Sequence, residues 1–134
     1  MRGTVYFITL TDEQRAAINR GGWSSIPEGI AYMDATIGGL AGDGRAFARA
    51  VELDMYEKAA EVDVESADQV YRLLQNGIPR PAWATQGIKV QRIPGAFARS
   101  MMVGDYIEWE DGSLEVCCSL GWERIDGKVQ DDAQ

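Results

Sequence analysis

The stretch that most constrains the fold is 99–125, RSMMVGDYIEWEDGSLEVCCSLGWERI. β-Branched and aromatic residues alternate there with polar ones, and the alternation is broken at Gly104, at Glu110-Asp-Gly-Ser113 and near Leu120-Gly121. Strand segments cut by turn residues at such short spacing read as an antiparallel meander: 105–110, 114–119 and 121–125. Such a meander is expected to bury one face against a layer of helices, as part of a larger sheet.

The rest of the chain supplies both. Residues 3–10, GTVYFITL, read as a strand. Thr11-Asp-Glu-Gln14 is a capping box, so a helix should follow through Arg20, burying Ala17 and Ile18 and stopping at Gly21-Gly22. Ser25-Ile-Pro-Glu28 has the form of a second helix start, with Ser25 as cap. Ile26, Ile30, Met33 and Ile37 then form one apolar stripe, expected to face the core, and 38–44 reads as a loop. Residues 45–64 fit two periods, and are divided into a helix or turn near 45–52 and a strand near 55–64. Ser66 caps a further helix over 67–75, with Val70, Tyr71, Leu73 and Leu74 on its buried side. Residues 78–99 hold three prolines and little periodicity, which predicts a long loop; 126–134 predicts a frayed tail. The expected fold is a single α+β domain, with about three helices on one face of a mostly antiparallel sheet. That sheet is built from the N-terminal strand, the 55–64 strand and the C-terminal meander.

Composition narrows the function. The 134 residues include no histidine, which removes His-based triads, His-ligated zinc and the commonest acid–base side chain. The two cysteines, Cys117 and Cys118, are adjacent, so on a strand their side chains point to opposite faces. Two free thiols in a reducing compartment are expected. No phosphate-cradling glycine motif is present, and no cofactor, metal site or catalytic residue is expected. The N-terminus lacks a secretory apolar core and no apolar run is long enough to cross a bilayer, so a cytoplasmic protein without membrane contact is expected.

Net charge is −8, unevenly placed. Residues 1–68 carry 6 basic and 12 acidic residues, and 105–134 carry 2 and 9. Between them, residues 69–104 carry Arg72, Arg80, Lys89, Arg92 and Arg99 and no carboxylate. Arg80, Trp83, Lys89, Arg92 and Arg99 are therefore the candidate binding residues. Trp83 either stacks on a ligand or folds back as an apolar plug. Arg99 either contacts an anion or belongs to the turn that Ser100, Gly104 and Asp105 close. Glu108, Glu110, Asp111 and Glu115 read as a solvated strand face rather than a carboxylate centre.

The strand MYEKAAEVDV, the helix SADQVYRLLQN, the Pro81-Ala-Trp83 loop, the turn from Arg99 to Asp105 and the closing Gly121-Trp122-Glu123 follow one another in a familiar order. This resembles the small YodL-like proteins and domains of phages, plasmids and other mobile elements, over roughly 54–125. Their hallmark is an RS[MTL]SVGD-type turn, from which this chain departs at Met102. The resemblance implies a mobile-element setting, with counter-defence among its roles, and a non-enzymatic interaction with an unidentified host or element protein. It carries over no catalytic residue. Alternatives are nucleic-acid binding through the cationic 76–104 region, which the net charge disfavours, mimicry of DNA by the acidic body, and a small-ligand binder or carboxylate-based enzyme.

Overall fold

The computed structural model describes residues 1–37, 44–76, 88–93, 99–119 and 121–125. The fold is α+β, with six strands in one antiparallel sheet. In chain order the elements are β1 (Arg2–Ile8), α1 (Asp12–Gly21), a 3₁₀ turn (Trp23–Ser25), α2 (Pro27–Thr36), α3 (Gly44–Glu52), β2 (Tyr56–Asp63), α4 (Ala67–Leu73), β3 (Lys89–Arg92), β4 (Tyr106–Trp109), β5 (Leu114–Cys118) and β6 (Gly121–Ile125). The sheet order is β3-β2-β1-β4-β5-β6. None of the helices among the described residues is long and apolar enough to cross a membrane.

The helices cover both faces of the sheet, not one. β1 carries four consecutive large apolar or aromatic side chains, Val5 to Ile8, so both of its faces demand cover. Val5 and Phe7 point one way, into a cluster with Val62, Ile107, Trp109 and the α4 residues Ala67 and Val70. Tyr6 points the other way and stacks on Tyr106, ring centroids 4.8 Å apart. Tyr106 in turn takes the edge of Phe47 from α3, also at 4.8 Å. Helices α1, α2 and α3 close that side through Ile18, Ala31, Ala35, Ala46 and Ala50. Four α-helices are described rather than three.

The Thr11–Gln14 capping box forms as expected, with both reciprocal hydrogen bonds present. The Ser25 cap does not. Ser25 lies in the 3₁₀ turn and its hydroxyl donates to the Gly22 carbonyl at 2.6 Å, while Ile26 takes the cap position without a side-chain bond. The expected stripe is split: Ile26 packs against the core cluster and Met33 is half-buried, but Ile30 is 48% and Ile37 71% exposed, and the buried residues of α2 are Gly29, Ala31 and Ala35. Close packing explains the exposed pair. A Cβ on Gly104 would lie 3.0 Å from the Ala35 carbonyl oxygen, so α2 meets the 101–105 turn almost backbone to backbone and only small residues fit between them.

The division of 45–64 into α3 and β2 holds. α4 begins at the Ser66 cap but ends at Leu73, with Leu74 as its C-cap. The expected long loop is interrupted by β3, which pairs with β2 from Ala60–Arg92 to Asp63–Lys89. A register shift between Val5 and Tyr6 leaves Ala59 without a paired residue on β1, and both Ala59 and Ala60 are buried. Of the loop expected at 38–44, Gly44 opens α3 instead and 38–43 lie outside the described residues, as do the Pro81–Trp83 segment and the expected tail at 126–134.

Candidate functional site

Helices α1 to α3 cover only the half of their face that carries Tyr6, Tyr56, Tyr106 and Val116. The other half is open, because the paired residues there are polar. Lys89, Asp63 and Arg2 pair in one row across β3, β2 and β1, and Glu110 joins through its amide, which donates to the Arg2 carbonyl at 2.9 Å. The next row holds Gln91, Glu61, Thr4 and Glu108. Directly paired residues share a face. The eight side chains therefore line one open groove of about 690 Å³, with Gly3, Val62, Trp109 and Gly112 completing its walls.

Its charges are partly matched within the chain. Asp63 takes the N-terminal ammonium at 3.3 Å and Arg2 at 4.0 Å, and Glu61 pairs with Lys58 at 3.4 Å. Lys89, Glu108 and Glu110 make no ion pair among the described residues and stand exposed. Lys89 and Glu110 are three strand spacings apart, about 14 Å, too far to meet each other. No group of three or more acidic or cysteine side chains among the described residues is placed to hold a metal ion.

The three candidates among the described residues, Lys89, Arg92 and Arg99, do not form one surface. Arg99 turns inward and stacks over the Phe7 ring at 4.2 Å. It grips Asp105 with both terminal nitrogens, each at 2.6 Å, and donates to the Ile8 and Ser100 carbonyls at 2.9 Å. Asp105 is fully buried, and its two oxygens also accept from the Ile8 amide at 2.9 Å and the Met102 amide at 2.8 Å. Burial raises the Asp105 carboxyl above its ordinary range, against the opposing pull of Arg99 and the two amides. The buried carboxylate is saturated with donors and its cation is engaged, so the turn holds strand β1 to the meander. The turn reading of Arg99 and Asp105 is thus the geometry observed.

Arg92 is also spent on the fold. It donates to the carbonyls of Arg99 at 3.0 Å and Leu74 at 3.2 Å, and to the Asn76 side chain at 2.8 Å. With the Asn76 amide on Ser100 Oγ at 2.7 Å and the Met101 amide on the Leu74 carbonyl at 3.0 Å, it fastens 74–76 to 99–101. Lys89 is exposed and belongs to the open groove on the other face. Arg80 and Trp83 lie outside the described residues. The nucleic-acid reading thereby loses the two guanidinium groups of Arg92 and Arg99. Sequence reasoning missed Arg2, Thr4, Glu61, Asp63 and Gln91 as groove residues. The signal present was their polar side of the β1 and β2 alternation, but β3, which completes the row, was hidden among prolines.

Neither cysteine is in a disulfide; Cys117 is buried and Cys118 half-buried. Burial is the main cause that pushes the Cys117 thiol up to about 12, with the Asp105 carboxylate adding to it. An aromatic-disulfide reagent at pH 8 is expected to titrate one thiol per folded chain, Cys118, and the second only in denaturant; prompt reaction of both would refute the placement. Burial likewise raises Tyr56 and Tyr106. In the folded state these three groups resist ionising when the unfolded chain already does. Stability should therefore fall as pH rises through the unfolded thiol and phenol range, from about 8.5 upward.

Comparison with protein-family models, with curated proteins and with solved structures finds no match. The class defined by fold and site is a small α+β module with a helix-covered sheet, one half of one face left open and polar.

Proposed function

We propose that the chain is a non-enzymatic protein-interaction module, of the kind that mobile elements carry, whose contact surface is the open half of the sheet. One observation carries this reading: the groove keeps Lys89, Glu108 and Glu110 exposed and without an ion pair among the described residues, beside central strands that helices pack against on both faces. Polar side chains of both charge signs on an exposed sheet face suit a protein surface that forms and releases complexes. The YodL-like order of elements supports a host or element protein as the partner. The buried Arg99–Asp105 pair supports a non-enzymatic role, since its donors and acceptors are taken up by the fold.

The test is capture on an immobilised chain followed by identification of the retained protein. The wild type should retain one protein reproducibly, and the K89A/E108A/E110A variant should lose it at unchanged circular dichroism. Equal capture by both would remove this face from consideration.

A further inference from the structure

The open half of the sheet has two walls of opposite sign. Lys89 stands on β3; Glu108 stands on β4 and Glu110 just past its end. All three are exposed and make no ion pair among the described residues. Between the walls, β2 and β1 form a floor whose charges are matched within the chain. Asp63 holds Arg2 and the N-terminal ammonium, and Glu61 holds Lys58. The walls are three strand spacings apart, about 14 Å, and the two glutamates are alternate residues, about 7 Å apart along their wall. Helices α1 to α3 occupy the neighbouring half of this same face.

We infer that the open half-sheet seats one α-helix of a protein partner, lying along β1 and β2. Its acidic flank meets Lys89, and basic residues at i and i+4 on its other flank meet Glu108 and Glu110. The inference rests on the open half-sheet being the contact face. Backbone chemistry selects a helix. A partner strand laid on a sheet face finds no edge to pair with, so its N–H and C=O groups lose water without gaining partners. A helix closes its own hydrogen bonds. Size agrees, since a helix about 10–12 Å across fits between walls about 14 Å apart. Spacing agrees too: residues four apart on a helix lie about 6 Å from each other, close to the separation of the two glutamates. The charge pattern fixes direction, because turning the helix end for end would lay its basic flank over Lys89. The floor of Thr4 and two matched ion pairs stays hydrated, so the helix is held mainly at its flanks. Such a contact is weak and salt-sensitive, and the net charge of −8 adds a long-range pull on the basic flank.

Fluorescence anisotropy with two labelled, alanine-rich helical peptides of about 20 residues tests this on the full chain. The first carries two arginines at i and i+4 on one flank and two glutamates on the other. The second has the same composition, with one arginine and one glutamate exchanged between flanks. At low salt the first should bind saturably and at least about tenfold tighter than the second. E108Q/E110Q should weaken it at least about tenfold, and K89Q by a smaller factor. E13Q/E57Q removes the same charge at exposed positions outside the groove and should leave binding within about twofold. Absence of binding overturns the inference, as does equal affinity for the two peptides or an equal loss in E13Q/E57Q. Capture of a protein that K89A/E108A/E110A loses, without discrimination between the peptides, keeps the face and overturns the helix. A peptide held as described with no protein captured supports the helix seat and counts against the interaction module, so the two proposals fail separately.

Discussion

Asp105→Ala is expected to lower the unfolding free energy by about 3–5 kcal/mol, a large part of the roughly 5–15 kcal/mol available to a domain of this kind. The carboxylate is fully buried and accepts from Arg99 twice and from the amides of Ile8 and Met102. Alanine leaves a guanidinium that is mostly buried without its counter-charge, and two backbone N–H groups without acceptors. The loss is spread over distant parts of the chain, because the pair joins the end of β1 to a turn nearly a hundred residues on. Arg99→Met should also destabilise strongly, since it leaves a buried carboxylate with no cation. Urea unfolding followed by tryptophan fluorescence reads both. A cost below about 1 kcal/mol for Asp105→Ala would mean that water reaches the turn and that the clasp does not hold the fold.

Trp109→Ala should cost about as much, 3–5 kcal/mol, through a different mechanism. The indole is 1% exposed and sits in the cluster with Val5, Phe7 and Ile107, on the α4 side of the sheet. Its ring lies so close over β1 that a Cβ on Gly3 would come within 2.8 Å of it, which is why a strand of otherwise large residues has a glycine there. The indole N–H donates to Glu115 at 3.0 Å, so removal also frees a carboxylate. Trp122, only partly buried against the same cluster, should cost distinctly less when truncated. Denaturant titration of the two alanine variants side by side tests the ranking. A larger loss at Trp122 would contradict the packing described.

Much of the architecture was legible from local signals. The capping box at Thr11, the Ser66 cap, the meander and the wet positions of Glu108, Glu110 and Asp111 each depend on residues close in sequence, and all appear in the fold, whereas Glu115, expected with them, lies half-buried on the opposite face as acceptor for the Trp109 indole. Three things were not legible. The α2 stripe has helical spacing, but spacing alone does not say which side meets the core; the close approach at Gly104 and Ala35 decides that. β3 is four residues of mixed polarity between prolines, and it becomes a strand because β2 offers it a free edge. Arg92 and Arg99 stand among the candidate binding cations of a carboxylate-free stretch, yet Arg99 bonds the neighbouring Asp105 of its own turn, and the two also take the backbone carbonyls of Ile8 and Leu74, far off in the chain. Neither a carbonyl nor a partner many residues away leaves a mark in local composition.

The sequence by itself determined most of the helix and strand segments, β3 excepted, that the sheet is mostly antiparallel, and that histidine chemistry is closed to this chain. Periodicity, caps and turn residues act over a few positions, so they can be read one segment at a time. The tertiary structure decided which faces are covered and which charges remain free. Those outcomes depend on register across the sheet and on how closely backbones approach, and both are settled only when all six strands and their helices are packed together.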